Sequence, residues 1–410
     1  QGKKNPHSAA HFGTFAFKPR YPLSLIDAGV DKYTGVSIFL EAHSRNEAQY
    51  MAAQDQTGLS RFGDLTPDFI LLFIIPLLII LIGFNSFTRE RESGTLKLLK
   101  SQHLSIYSIA LVICSSLLFI VLWLVLPIYG LAFILLSILT AYGLFSALAL
   151  TSLFGVYLFY FMIFINITLW ISQVAKKSSV AFVSLLSIWM IACLAIPKFT
   201  SSMANQLHPY PKQSAFDESI KADKKAGLDG HNPWSEKAKQ LEAETLKTYN
   251  VSSVEELPFN WDGFLMQEGE KAEAEIYFKH YERLRYINQR QTGVYQAATI
   301  LSPFLPTRFL SMSISRTNYD SHWNFADAAE KYRIELVGVM NSDLQENSLT
   351  GDWGYKAGKA VWASVPDFSY APPSFASVMA SNTSNFISLG CWLFITAFGV
   401  FYAARRLTTV

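Results

Sequence analysis

The sequence predicts an all-α polytopic membrane protein with five spans in this chain, a further span expected before Gln1, and a large, mainly helical extracytoplasmic domain. Three observations lead to this fold class. Half of the 410 residues are hydrophobic and only 16% are charged, an excess too large for an ordinary soluble protein. Long uncharged apolar runs recur along the chain, and they flank a polar region at about 198–384 that is rich in Lys, Glu and Ala.

The apolar runs are long enough to cross a bilayer, whose core requires about 20 helical residues. Residues 69–88, 178–197 and 386–404 contain no Asp, Glu, Lys or Arg, and Pro76 offers a kink in the first run. The uncharged stretch 104–175 is too long for one helix. It must therefore contain two spans or three.

The basic clusters beside these runs favour two spans, at roughly 104–130 and 145–174. Cytoplasmic ends collect Lys and Arg, and two spans place every cluster on one side, whereas three would place Lys176 and Lys177 outside. The clusters are Arg89/Arg91/Lys97/Lys100, Lys176/Lys177 and Arg405/Arg406. Two spans are therefore expected.

Parity along the chain then predicts the domain boundaries. An N-terminal segment that starts outside needs a preceding span or a cleaved signal, so a sixth span is expected before Gln1. The predicted divisions are an extracytoplasmic segment 1–66, a span at 67–88, a cytoplasmic helix at 89–103, three spans within 104–197, an extracytoplasmic domain at 198–384, and a span with a cytoplasmic tail at 385–410.

Helical patterns dominate the polar region. Interspersed opposite charges predict a surface helix at 236–249, and apolar spacing predicts helices over 264–292 and 324–342. Ser252 and Glu255 have the spacing of a capping box, which predicts a helix start. Strand signals are weak, the two prolines of ILSPFLPTRF end a helix, and residues 351–375 are expected to form a loop.

Composition excludes several classes of function. A net charge of +2 gives no general attraction to nucleic acid. The predicted span cores contain no ionisable residue, and Asp68 lies only at an edge, which is evidence against a proton- or sodium-coupled carrier. GYKAGKA, residues 354–360, has the wrong spacing for a phosphate-binding loop, so any ATP must be bound elsewhere.

The eight histidines predict no metal site and no catalytic site. His7 and His11 are four residues apart, a spacing that could share a metal on a helix, and His43 follows later. Gly13 and the alternation of aromatic and small residues instead indicate extended chain, so packed or hydrogen-bonded histidines are expected. His208, His231, His280 and His322 are scattered along the sequence. A membrane-anchored hydrolase that uses the outer histidines is the least favoured reading.

The stretch RERESGTLKLLKSQ, residues 89–102, follows directly on the first apolar run. Gly94 permits a sharp change of direction, and Thr95 is expected to cap a short helix. That helix would present Leu96, Leu98 and Leu99 on one face, with Lys97 and Lys100 towards water or lipid headgroups. The residues themselves leave two interpretations open: the charges anchor a helix end at the membrane surface, or the helix enters a groove of a partner protein.

The same stretch resembles the cytoplasmic loop of ABC-2-type exporter permeases, in which an E-x-G-T-L element forms a coupling helix. Glu92, Gly94, Thr95 and Leu96 match that element. The resemblance implies that the coupling helix docks on a separate ATP-binding subunit. The coupling residues that it implies are Arg89, Glu90, Arg91, Glu92, Gly94, Thr95, Leu96, Leu98 and Leu99.

Other segments are similar to the permease branch named for multi-copper-enzyme maturation, which is related to the permease of nitrous-oxide-reductase maturation. They include HSAAHFGTFAFKP and LSPFLPTRFLSMSISRTNYDSHWNFADAAEKYR. The resemblance implies a multi-pass protein of the bacterial inner membrane that is not itself an enzyme. Its expected partners are two copies of an ATP-binding cassette subunit, a second permease (identical or paralogous) and membrane lipid, but no nucleic acid.

The function that the resemblance implies is that of the permease subunit of an exporter. No cofactor is expected in this chain, and ATP and Mg are expected on the partner subunit. The alternative is a mechanotransmission or scaffold protein in which the same coupling helix moves the outer domain and nothing crosses the membrane.

Overall fold

The computed structural model describes residues 4–51, 66–102, 104–138 and 146–408. These residues form a mainly helical protein with one small three-stranded sheet. Within these described ranges, five helices are long and apolar enough to cross a membrane, which indicates a multi-pass membrane protein: Pro67–Glu92, Ile106–Ile138, Ala147–Val174, Ser178–Leu207 and Thr383–Leu407. The number of spans predicted in this chain is confirmed.

The spans consist of both regular and interrupted helices. The first comprises α3 (Pro67–Phe69), a π-helical turn, α4 (Ile75–Gly83) and α5 (Thr88–Glu92). The short helix α6 (Thr95–Ser101) follows this span. The second and third spans are α7 (Ile106–Ile138) and α8 (Ala147–Val174). The fourth consists of α9 (Ser178–Met190), a second π-helical turn and α10 (Ile196–Leu207), and the fifth, near the end of the chain, is α18 (Thr383–Thr408). Two spans lie between 104 and 175 as predicted, although α7 runs eight residues past the expected 130; residues 139–145 lie outside the described part.

The fourth span differs from its prediction because the helix does not end at Pro197. Its π-helical turn covers Ile191–Ala195, and α10 then continues to Leu207 with the proline in its first turn. The first turn of a helix is where a missing N–H costs little. The span therefore projects ten residues beyond the proline.

Helix α8 is the centre of the bundle, and most of its C-terminal half is buried. Two glycines let neighbouring helices approach it closely. A Cβ atom on Gly83 of α4 would lie 2.8 Å from Thr168 of α8, and one on Gly399 of α18 would lie 2.5 Å from the ring of Trp170. Small residues at such contacts are typical of membrane helix packing.

The polar domain, residues 208–382, is built on two long helices, α13 (Trp261–Ala298) and α15 (Tyr319–Asn347). They are antiparallel, because Asn260 bonds to Gln345 at one end and Arg285 pairs with Asp327 further along. Shorter helices surround them: α11 (Gln213–Ala226), α12 (Glu236–Tyr249), α14 (Phe304–Ser315), α16 (Lys359–Ser364) and α17 (Phe375–Ser381).

The structure confirms the three helices predicted in this domain and corrects two details. Residues 252–255 do not start an α-helix; only a 3-10 turn forms at Val254–Glu256, and Pro258 follows it. The predicted loop at 351–375 is largely irregular but contains α16. Of the two prolines of ILSPFLPTRF, Pro303 lies between α13 and α14 at the N-cap position of α14, whereas Pro306 lies within the first turn of α14.

The N-terminal segment, residues 4–51, folds onto α15. It contains α1 (Pro6–Ala10), β1 (Thr14–Phe17), α2 (Asp31–Thr34), β2 (Ser37–Glu41) and β3 (Ser44–Arg45), and the strands form an antiparallel sheet in the order β1-β2-β3. Ala16, Ile38 and Leu40 of the sheet pack against Phe325 and Ala329 of α15.

The expectation of extended chain around His7 is wrong for its first half. Residues Pro6–Ala10 form a helical turn because Asn5 accepts a hydrogen bond from the N–H of Ser8 at 3.2 Å and Pro6 occupies the first helical position. The predicted extended conformation does hold from Thr14, after Gly13 reverses the chain with φ +62°.

A buried polar cluster joins this segment and α14 to the membrane bundle. Arg308 of α14 pairs with Asp27 at 2.9 Å and with Asp68 at 2.7 Å, where the first span begins. Ser311 links the same Asp27 to Tyr157 of α8, at 2.5 and 2.7 Å. Asp68 does lie at the edge of a span, as predicted, and its charge is paired.

Candidate functional site

Two regions contain the residues that carry chemistry: the loop segment, residues 88–102, and a group of histidines in the polar domain. The loop segment consists of α5 and α6, which are joined at Ser93 and Gly94. Gly94 has φ +79°, a conformation that costs other residues energy. The predicted cytoplasmic helix at 89–103 is thus two helices rather than one. Thr95 is not the cap but the first residue of α6, and its hydroxyl bonds to the carboxylate of Glu90.

The inner face of the loop segment is bonded to the ends of two spans. Arg91 donates to the carbonyl oxygens of Gln173, at 2.6 Å, and Ala175, where α8 ends. Glu92 accepts from the N–H of Ser178 at 2.9 Å and from its hydroxyl at 2.6 Å, where α9 begins. A cation at a helix C-terminus and an anion at an N-terminus satisfy backbone groups that have no partner within the helix.

Two further contacts connect the segment with the rest of the bundle. Leu96 is buried among the apolar residues of the bundle core. Lys100 donates to the carbonyl oxygen of Leu407 at 2.9 Å, at the end of α18. Since α4 and α7 are continuous in sequence with the segment, all five spans end on it. The three basic clusters therefore lie at one end of the bundle, as predicted.

The outer face of the segment is open. Arg89, Lys97 and Leu98 are exposed, and Leu98 exposes 60% of its surface. The predicted single face of Leu96, Leu98 and Leu99 is wrong, because residues two apart on a helix point about 200° apart. Leu96 faces the core, Leu99 is half-buried and Leu98 faces away.

The second region is the histidine cluster, formed by His7, His11, His43 and His231. One ring nitrogen from each residue lies within 4.8 Å of those from the other three. The Nε2 atom of His7 lies 3.0 Å from Nε2 of His231 and 3.3 Å from Nε2 of His11. The sequence patterns predict no metal site, and His231 is distant from the other three histidines along the chain. The fold brings it next to three histidines from the N-terminal segment.

Different elements position the four rings. Helix α1 presents His7 and His11 one turn apart, and His11 follows it directly. His231 lies in the connection between α11 and α12. Gly230 touches Gly269 of α13 so closely that a Cβ atom on Gly269 would lie 2.5 Å from the Cα of Gly230. That contact holds His231 against the cluster.

His43 occupies the turn between β2 and β3 with φ +66°, a conformation uncommon for residues other than glycine. Its contacts hold it there. The N–H of His43 donates to Oε1 of Glu270 at 2.9 Å, and its Nδ1 contacts the same carboxylate oxygen. Its carbonyl oxygen accepts from Lys224 at 3.1 Å. Strained residues held in this way concentrate at functional sites.

Glu270 is in turn fixed by Arg333 of α15, which is only 1% exposed and lies 3.1 Å from Glu270 and 2.9 Å from Glu330. Burial alone would raise the pKa of Glu270, but the contacts with His43 and Arg333 outweigh it and lower the pKa to about 2. Glu270 is therefore a carboxylate. Burial also lowers the pKa of His7, to about 4, and the neighbouring histidines add to that effect.

Asn341 of α15 also belongs to the site, since its Oδ1 lies 3.1 Å from Nδ1 of His7. Sequence reasoning missed His231, Glu270, Arg333 and Asn341 as members of one site. One local signal was available: Asn5 followed by Pro6 is a helix start, which places His7 and His11 on one helical face. Nothing local indicates the other members, because they lie on separate elements more than 180 residues further along.

Comparison with protein families places part of this site in one matched domain. Residues 213–371 match a family model described as a domain of unknown function, DUF3526. This stretch contains His231, Glu270 and Arg333. No curated protein and no solved structure matches the chain.

Proposed function

We propose that the chain is the transmembrane (permease) subunit of an ABC exporter. Residues 89–102 couple it to a separate ATP-binding subunit. One observation carries the proposal: all five spans end on the loop segment, through backbone continuity at α4 and α7 and through the bonds of Arg91, Glu92 and Lys100. A force applied at this one surface element reaches every span.

The two faces of the loop segment have different roles: the outer face binds the partner, and the inner face transmits its motion. Leu98 on α6 and Lys97 beside it face outwards and enter a groove of the ATP-binding subunit, the usual way in which a short amphipathic helix binds. Arg91 and Glu92 do not reach the partner but transmit its motion to α8 and α9. This assigns Glu92 a role inside the chain rather than the partner contact that the resemblance implies.

The basic residues at this end of the bundle support a cytoplasmic position in the bacterial inner membrane, with the polar domain on the outer side. Two such permeases, identical or paralogous, pair above two ATP-binding subunits. Binding of ATP and Mg by those subunits draws them together, and the loop segments carry the movement into the spans.

The test is recovery of the partner from native membranes with the tagged chain, followed by mass spectrometry. Leu98→Glu places a charge on the exposed docking face and is expected to abolish recovery of an ATP-binding subunit. Leu349→Glu is the matched control, since Leu349 is a similarly exposed leucine of the polar domain, with 78% of its surface accessible. Equal recovery by both variants, or no ATPase with the unchanged chain, would refute the coupling role.

One observation favours the mechanotransmission alternative: helices of the polar domain pack directly against the bundle. Helix α14 packs against α8 and α18, and α10 extends from the fourth span along α13. A structure of the complex with a non-hydrolysable ATP analogue separates the two functions. A continuous cavity between paired permeases supports export, whereas a sealed interface with a displaced polar domain supports transmission.

A further inference from the structure

We propose that the histidine cluster is a closed, four-coordinate site for a divalent first-row transition metal ion, Zn²⁺ in the first instance, and that this ion fastens the N-terminal segment to the polar domain. The four ligands are His7, His11, His43 and His231.

The spacing of the rings is close to that of tetrahedral coordination, with one nitrogen of each ring within 4.8 Å of the others. With metal–nitrogen bonds of about 2.0–2.1 Å, ligand nitrogens lie about 3.3 Å apart and imidazole centres about 5 Å apart. The Nε2 atom of His7 lies 3.0 and 3.3 Å from those of His231 and His11. The six distances between the four ring centres run from 4.3 to 6.3 Å.

The outer hydrogen bonds direct two lone pairs into the centre of the cluster. Nδ1 of His43 meets the carboxylate of Glu270, which can only accept, so Nδ1 carries the proton and Nε2 the lone pair. Nδ1 of His7 meets Oδ1 of Asn341 at 3.1 Å. The amide nitrogen of Asn341 is directed to Gln267 at 3.3 Å, which fixes Oδ1 as the atom that faces His7.

The Nε2 atom of His43 is buried and has no hydrogen-bond partner within the described residues. A buried polar atom without a partner costs about 1–3 kcal/mol, and a metal ion at the centre of the cluster would satisfy it. A metal-binding histidine whose second nitrogen is held by a carboxylate is a recurrent arrangement, because the carboxylate fixes the ring and raises its basicity.

The donor set selects the kind of ion. Four neutral imidazoles suit Zn²⁺ and its first-row neighbours, whereas Mg²⁺ and Ca²⁺ prefer oxygen and Cu⁺ prefers sulfur. Four protein ligands leave no position for water, which is the pattern of structural rather than catalytic zinc. Three ligands come from residues 7–43 and the fourth from the domain at 213–371, so the ion ties the two together.

The experiment uses the full chain in detergent, stripped with a chelator and then titrated with Zn²⁺ or Co²⁺ alone. We expect about one ion per chain, with the intense visible absorption of tetrahedral Co²⁺. His231→Ala and His43→Ala should lose the ion and the spectrum, and His208→Ala, which removes a histidine outside the cluster, should keep both. Binding that survives in His231→Ala, or a weak octahedral Co²⁺ spectrum, would reduce the site to an adventitious ion only and overturn the proposal.

A second variant guards against misfolding of the first two. Glu270→Gln preserves shape but removes the charge that orients His43, and should weaken Zn²⁺ binding about 10–100-fold. Protease digestion tests whether the ion fastens the N-terminal segment to the polar domain. Chelation of the unchanged chain should expose the segment to cleavage, and Zn²⁺ should restore protection. Unaltered affinity in Glu270→Gln, or a digestion pattern that ignores the metal, would contradict the proposal.

Discussion

The loop segment and the histidine cluster differ in how they are assembled and in the function that we propose for each. The loop segment is short and open on its outer face. Its internal bonds run between neighbouring turns, and its outward bonds reach three helix ends, those of α8, α9 and α18. The histidine cluster combines the buried His7 and the half-buried His43 with the exposed His11 and His231. It is assembled from a helix, a hairpin turn and a connection between helices, up to 224 residues apart. The loop segment presents a surface to a partner, whereas the cluster holds the chain together.

This difference sets how each region should respond to substitution. A change in the loop segment removes one local bond and leaves the core packed, so its consequence is expected in transmission to the spans. A change in the network behind the cluster, Glu270, Glu330 and Arg333, unpairs buried charges that several elements share, so its consequence is expected in stability.

The largest effect is predicted for Arg333→Met. It leaves Glu270 and Glu330 as buried carboxylates without their cation, which should cost about 3–5 kcal/mol of unfolding free energy and release His43. Thermal unfolding in detergent measures it. Arg283→Met, at an exposed position of α13, is the control and should change stability by less than about 0.5 kcal/mol. Similar melting of the two variants would mean that the cluster does not depend on this network.

Gly269→Ala should be the next most damaging change. The added methyl group collides with the backbone of Gly230, 2.5 Å away, which forces His231 outwards at a cost of about 1–3 kcal/mol. Gly293→Ala on the same helix α13 meets no described atom within 4 Å and should stabilise by about 0.5–1 kcal/mol. Loss of Zn²⁺ affinity in the first variant but not in the second would connect the glycine contact to the site.

The same contrast explains what the sequence could reveal. The spans were predictable because hydropathy is local: each uncharged run of adequate length became a helix. The segment around Gly94 was also predictable, since turn and helix signals lie within seven residues. Which of Leu96 and Leu98 is covered was not predictable, because packing against the bundle core buries Leu96 and leaves Leu98 exposed.

The histidine cluster was beyond local reasoning for a different reason. His43 acts through a turn conformation that its own sequence does not require, and contacts from Glu270 and Lys224 impose it. His231 is positioned by the approach of two backbones at Gly230 and Gly269. Such contacts exist only after the long helices have packed, and no spacing in the sequence records them.

A smaller effect is predicted at Gly94, where φ is +79° and the described residues leave open space around the Cα. Gly94→Val should cost about 1–2 kcal/mol because a β-branched residue resists this conformation, and it should break the change of direction between α5 and α6. The expected result is near-normal folding with loss of coupling between ATP hydrolysis and transport. Gly94→Asn, which tolerates the conformation, should retain most of the coupling.

The matched control for that strain lies in the polar domain. Gly351 has φ +80° and similar open space within the described part of the chain, so Gly351→Val carries the same conformational cost away from the loop segment. Coupled ATP hydrolysis should persist in it. Equal loss of coupling in both valine variants would show that the loop segment has no special role.

The smallest and most local effect is predicted for Glu92→Gln. Its carboxylate accepts from the N–H and the hydroxyl of Ser178 at the start of α9, and removing the charge weakens that acceptor without disturbing the core. Hydrogen exchange should become faster at the first turn of α9 while the melting temperature stays unchanged. Glu90→Gln, which alters the partner of Thr95 instead, should leave exchange in α9 as it was. Faster exchange throughout the bundle in Glu92→Gln would mean that the loop segment stabilises the whole fold, as the histidine cluster is proposed to do. Faster exchange confined to α9 would identify the segment as the element that transmits motion to the spans.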